Sequence, residues 1–258
     1  MTFAQFVDDV EGRELTLRVV NRTEADPVFG MLEDRFAGQD VVVEEIDDAN
    51  APENEVLLCE ADEALAVSSL TEVRDSVLTV NSDLYITGSR PLEAVDTPEV
   101  IVGLGETTFS VGGHQKYLLI QLSREIEAMA LQAGKGVLHS GFQELSRLDD
   151  ERGTLAAYET LGDADLDVHV YGIPDADPLD HPGVALHGID AAEIRDSWFV
   201  VFTSEREDVR EAALVAVERE SELWDGFWTF ESELVGEVEA YIDSTYRDES
   251  TDQIADSS

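Results

Sequence analysis

Short β-branched runs alternate with stretches of helical spacing along this chain, and that order constrains the fold more than any other feature of the sequence. In the first half the spacing predicts a helix over 2–10, a strand at Leu15–Val20 and a helix from Asp26-Pro27 to about Phe36. Asp26 stands at the cap, and Pro27 at the first helical position, where a missing N–H costs nothing. Val41–Val43, Glu55–Cys59 and Ala64–Ser69 read as strands, and 71–79 as a helix. In the second half Leu118, Leu122, Ile126, Met129 and Ala133 fall on one face of a helix over 114–133, which Gly134-Lys135-Gly136 stops. Strands follow at 137–142, 167–173, 183–188, 197–203, 212–218 and 226–230, with helices over 144–161 (interrupted near Gly153) and 231–241. Each half reads strand, helix, strand, strand, strand and closes on a helix. A duplication would give this, and so would the ordinary recurrence of such strings in α/β chains. The expected fold is α+β, a mixed β-sheet flanked by helices, in two packed α/β-type subdomains over 1–80 and 114–245. Residues 81–113, rich in Gly and Pro, are expected to be an irregular connection, and 246–258 an acidic disordered tail.

Charge decides what surrounds this core. Against 58 Asp and Glu stand 16 basic residues, of which only Lys116 and Lys135 are lysines, giving a formal charge of −42 and a pI of about 4.1. Disordered chains can be this acidic, but they lack the 43% hydrophobic content found here. The acids run from end to end, so the composition describes a folded protein coated with carboxylates, as in a halophile's cytoplasm. Direct nucleic-acid binding is disfavoured, because that affinity rests on Lys and Arg neutralising phosphates. Cys59 is the single cysteine, which excludes an intramolecular disulfide, and its apolar run Val56-Leu57-Leu58-Cys59 predicts a buried thiol. The first residues lack a basic and apolar leader pattern, and no apolar run reaches the roughly 18 residues of a membrane span. A cytoplasmic location without membrane attachment is expected.

Catalytic motifs are incomplete. Gly103-Leu104-Gly105 begins like a dinucleotide fingerprint but lacks its third glycine and its strand-to-helix context. Asp163, Asp165 and Asp167 match three ligand positions of a calcium loop, yet Val168 stands where glycine is needed and Pro174 where glutamate is needed. His114, His139, His169, His181 and His187 lack metal-ligand spacing. His169 shares a strand face with Tyr171 and reads as a half-buried core histidine. His139 and Ser140 are neighbours on a strand and so point to opposite faces, which rules out a nucleophile–base pair. The chain is expected not to be an enzyme, and the sequence leaves any cofactor unknown.

The positive signal is aromatic. Trp198, Trp224 and Trp228 lie within about thirty residues, beside Phe199, Phe202, Phe227 and Phe230. They either fill a core or line a site. Gln143, Arg147, Glu218 and Arg219 are interspersed and need polar partners, met by a ligand or by an Arg147–Glu218 ion pair. Phe142, Gln143, Arg147, Tyr171, Trp198, Glu218 and Trp228 are therefore the candidate binding residues, expected around one site on the C-terminal sheet.

The blocks Gly141-Phe142-Gln143, Tyr158, Val168–Gly172, Trp198-Phe199-Val200-Val201-Phe202 and Gly226-Phe227-Trp228-Thr229-Phe230 follow a helix bearing Arg124-Glu125-Ile126-Glu127. In that order, over about 114–241, they resemble the DICT sensory domain of diguanylate cyclases and two-component systems. The resemblance implies an α+β fold around about four strands and a signal-input role, with light among the suggested inputs. It does not specify a ligand. No kinase, cyclase or DNA-reading domain is legible beside it, so output is expected in trans, through a signalling protein or a homodimer. A ligand-free scaffolding module and an unrecognised enzyme are the alternatives.

The charge makes one direct prediction. At about 1 M salt the Debye length is about 3 Å, which screens most of the self-repulsion. Circular dichroism across a KCl series is expected to give a cooperative fold whose stability rises strongly with salt. Equal stability in dilute buffer would remove the halophile reading.

Overall fold

The computed structural model describes residues 1–23, 29–30, 32–33, 36, 41–79, 91–92, 97–104, 107–112, 116–150, 152–175, 181–206 and 208–247. Two mixed sheets organise it. The first has the order β2-β1-β3-β4, from β1 (Leu15–Val20), β2 (Val41–Ile46), β3 (Glu55–Glu60) and β4 (Glu63–Ser69). The second has the order β5-β11-β10-β9-β6-β7-β8. Its strands are β5 (Thr107–Gly112), β6 (Gly136–Glu144), β7 (Leu166–Ile173), β8 (Val184–Gly188), β9 (Ser197–Thr203), β10 (Ala212–Glu220) and β11 (Leu223–Thr229). β6, β7 and β8 are parallel, and the remaining pairs of this sheet are antiparallel. Sequence patterning predicted this α+β arrangement. The resemblance implied about four strands where the sheet has seven.

Helices cover both faces of the large sheet. On one side lie α1 (Phe3–Asp9) and, near the other end of the chain, the helix Ser232–Ile242. Phe3, Phe6, Tyr171, Phe199, Val201, Val215, Phe227, Val235 and Val238 form the buried cluster there. On the other side lie the long helix Lys116–Ala133 and the helix Arg152–Gly162. Their cluster continues without a break into Leu15, Leu17, Val19, Val56 and Leu58 of the small sheet, so the two sheets share one core. β9 is buried from Phe199 to Thr203, as a strand packed on both faces must be.

Three expectations need correction. Residues 81–113 contain a helical turn, Glu99–Val102, and the strand β5, which pairs with β11 and so belongs to the large sheet. Tyr246 and Arg247 do not belong to a free tail: Tyr246 is buried and Arg247 bonds to Asp167. The helix 116–133 has more than one apolar face turned inward. From Leu119 to Ala130 it is buried nearly all round, carrying Gln121, Ser123, Arg124 and Glu127 into the interior. One-face periodicity described only its sheet side; the helices Leu70–Thr79 and Arg152–Gly162 pack against other sides. The helix predicted over 26–36 and the tail beyond Arg247 lie largely or wholly outside the described residues.

Among described residues no helix is long and apolar enough to cross a membrane. Cys59 is buried and free, as its apolar run predicted.

Packing at β6 is tight enough to test. A Cβ at Gly141 would stand 2.3 Å from Cε1 of the buried Phe199, whereas one at Gly236 would meet nothing within 4 Å. Gly141→Ala is expected to cost about 1–3 kcal/mol by overpacking. Gly236→Ala, on an open helix face, is expected to add about 0.5–1 kcal/mol. Chemical denaturation in molar KCl reads both.

Candidate functional site

Because successive residues of β6 face opposite sides, His139 and Ser140 enter two separate polar systems. His139 lies opposite His169 on β7, and Tyr171 on β7 lies opposite His187 on β8. The four side chains form one array under the C-terminal helix. His139 and His169 stack with centroids 5.2 Å apart, and Tyr171 and His187 with centroids 4.6 Å apart. Nδ1 of His139 lies 2.9 Å from the Tyr171 hydroxyl, and Nδ1 of His169 lies 2.9 Å from Nε2 of His187. All four are buried. Burial, with His169 and Arg247 nearby, pushes His139 down to about 3, and burial with His169 pushes His187 down to about 4. Burial raises the Tyr171 hydroxyl above its usual range.

The array is closed over by the last turn among the described residues. Ser232–Ile242 runs into a π-helical turn, Asp243–Arg247. Arg247 donates to Asp167 at 2.9 Å and to Asp243 at 3.4 Å. Asp167 lies 3.0 Å from Nε2 of His169, and Asp243 lies 3.8 Å from Nε2 of His139. The polar path therefore runs from the rings through two carboxylates to one guanidinium. Burial opposes ionisation of Asp167, but the neighbouring His169 imidazole and the Arg247 guanidinium outweigh it and hold the carboxyl below its usual range. A second fastening is Glu193, which accepts from the backbone N–H of Phe3 at 2.7 Å and from the hydroxyls of Tyr241 and Tyr246. Both ends of the described chain thus meet at one carboxylate. A cleft of about 830 Å³ opens beside this region, lined by Lys135, Asp165, Asp167, Ser204, Glu211 and Glu239 among others.

On the opposite face Ser140 receives the hydroxyl of Tyr158 at 2.6 Å, and the same hydroxyl lies 3.0 Å from Glu127. Arg124 bonds to Glu127 and, at 2.8 Å, to Thr154. Gln121 donates to Ser76 of the helix Leu70–Thr79, linking the two halves. Burial and the Glu127 charge raise the Tyr158 hydroxyl well above its usual range. Glu127→Gln would remove a buried counter-charge from Arg124 at a site where both are at most 5% exposed. The expected loss is about 3–5 kcal/mol, read by denaturation, against about 1–2 kcal/mol for Tyr158→Phe.

The seven residues expected to share one site are divided. Phe142, Gln143, Trp198 and Glu218 gather at one end of the sheet, where β6 and β10 finish and β9 begins, with Arg147 just beyond β6. Gln143 sits in a β-bulge with φ +59° and donates to the Arg195 carbonyl at 2.9 Å. The backbone N–H of Glu218 bonds the Asp196 carbonyl at 2.7 Å. Phe142 packs edge-on to Tyr158, and Trp198 edge-on to Trp224. Tyr171 faces the other side of the sheet, within the ring array. Trp228 pairs with Leu214 at the far end of β10, is buried, and donates to the Leu104 carbonyl at 2.8 Å. The expected Arg147–Glu218 ion pair is replaced: Arg147 meets Glu144 at 3.3 Å, and Glu218 accepts from the Glu222 N–H. The ring array escaped sequence reasoning because its members lie sixteen or more residues apart, except His169 and Tyr171, whose shared strand face was its only legible trace.

Residues 104–219 match a family model, DICT, described as the sensory domain in diguanylate cyclases and two-component systems. The match starts earlier than the sequence blocks suggested, near the residue that accepts from Trp228, and ends before β11. A search of curated proteins finds no match.

Proposed function

We propose, from a chain whose residues 104–219 match the DICT sensory-domain model, that this is a non-catalytic, cytoplasmic signal-input protein whose output passes in trans to a signalling partner. The family match carries the sensory part of this reading. Geometry supports a contact surface at the sheet end where Phe142, Gln143, Arg147, Trp198 and Glu218 gather. There the bulge at Gln143 breaks the β6 pairing, and Arg147 is exposed, meeting Glu144 in a surface pair. Such a pair contributes about 0–1 kcal/mol to stability, which leaves the side chain available to a partner. Trp228, by contrast, is committed to the interior.

This division yields a test. Protein purified from its own host in high salt is examined by native mass spectrometry and absorbance for a co-purifying small molecule or signalling protein. Arg147→Ala is expected to lower retention of that component at least tenfold while changing stability by no more than about 0.5 kcal/mol. Trp228→Leu is expected to cost about 3 kcal/mol of stability and, measured where it remains folded, to leave retention intact. Loss of binding in Trp228→Leu but not in Arg147→Ala would move the site into the interior. A chain that retains nothing, in either form, would refute the contact surface.

A further inference from the structure

We propose that the array of His139, His169, Tyr171 and His187 is a proton-binding sensory site, and that the segment 232–247 is the latch it controls. This names an input for the sensory reading above and rests on it.

The geometry makes the closed latch incompatible with added protons. Three imidazoles lie in one buried line, with neighbouring centroids 5.2 Å apart in both pairs. Protonating two neighbours would set like charges face to face away from water, with the Arg247 guanidinium already alongside. The nitrogens of His169 and His187 that face each other share one proton; with both rings charged, both would be donors and the bond would be lost. The carboxylates that would have to compensate are engaged: Asp167 and Asp243 are both held by Arg247. The cheapest relief is to move the cover. Ile242, Tyr246 and Arg247 close the array, and swinging 232–247 outward would admit water to the rings. Asp167 lines the neighbouring cleft and offers the path by which water reaches His169.

The direction follows from linkage. Rings whose closed-state proton affinity is lowered favour the closed form at high pH, and that preference is lost as pH falls below their open-state value of about 6.5. Between pH 7.5 and 5.5 each of His139 and His187 shifts the balance about tenfold toward opening, about 100-fold together. The other groups facing the array do not reproduce this. Asp167 is held ionised, and Tyr171, Tyr241 and Tyr246 stay protonated across the window. Glu239 of the covering helix is raised by burial and works in the opposite sense, because it gains a proton while closed.

Hydrogen exchange followed by mass spectrometry on the full chain, in molar KCl and without a partner, tests the latch. After correction for intrinsic rates, opening of 232–247 is expected to rise about 100-fold from pH 7.5 to 5.5, while 212–220 of the central sheet stays protected. In His139→Gln/His187→Gln the rise is expected to shrink to a few-fold. If that variant does not fold, Arg247→Ala leaves the rings in place and is expected to open the latch already at pH 7.5. An unchanged 232–247, an equal rise in 212–220, a full rise in the double variant, or a closed latch in Arg247→Ala would each overturn the proposal. With no partner present, these results are independent of whether the sheet-end surface binds one.

Discussion

A sheet covered on both faces leaves the polar side chains of its middle strands no route to water, and the rest of this structure answers that constraint. β6 and β7 lie inside the seven-stranded sheet and carry His139, Ser140, His169 and Tyr171 into the interior. An unpaired buried polar group costs about 1–3 kcal/mol, so each needs partners from whatever covers that face. On one side the cover supplies Tyr158, Glu127, Arg124 and Thr154. On the other the rings of β6, β7 and β8 partner one another, and the cover supplies the carboxylate–guanidinium turn at 243–247. The two systems differ in how they are closed. The first lies between a sheet and helices that are themselves buried, while the second is capped by the end of the chain.

That difference assigns them different work. A network enclosed on all sides fixes geometry, and its Gln121–Ser76 bond extends that order to the small sheet. A network whose lid is a short helix and one π-helical turn has a lower-cost way to open, since the low-stability end of a fold supplies its moving parts. Glu193 makes this lid a junction, tying Phe3, Tyr241 and Tyr246 together, so movement at either chain end is felt at the other. An internal change must reach the surface to be read there, and here the connection runs through named bonds.

Much of the secondary structure was legible because its signals are local. β-branched runs gave β1 to β4, and helical spacing gave 116–133. What the sequence could not give was the second cover. One-face periodicity in 116–133 hides the fact that Gln121, Arg124 and Glu127 are as buried as Leu122, because a polar face that meets a polar interior has the pattern of a solvated one. β5 was lost among Gly103, Gly112 and Gly113, which break its local pattern while β11 supplies its pairing. The candidate residues were split for a similar reason. Aromatic content is a property of a stretch of chain, whereas the face and end of a sheet depend on register, and register puts Tyr171 and Trp228 away from Gln143.

The acidic composition posed the same difficulty in another form. With 58 carboxylates, the presence of one says almost nothing; what distinguishes Glu127, Asp167 and Glu193 is what donates to them. Salt sharpens the distinction. At molar ionic strength exposed pairs such as Arg206–Asp208, with both side chains at least half exposed, are largely screened, while the Arg124–Glu127 pair, at 5% and 1%, is not. Glu193 lies between these limits, partly buried and bonded by more than one donor, whereas Asp167, with its side chain 52% exposed, stands close to the screened one. The proposed latch is therefore fastened at Glu193 by bonds that salt screens less, and at Asp167 by a pair near enough to water to be undone.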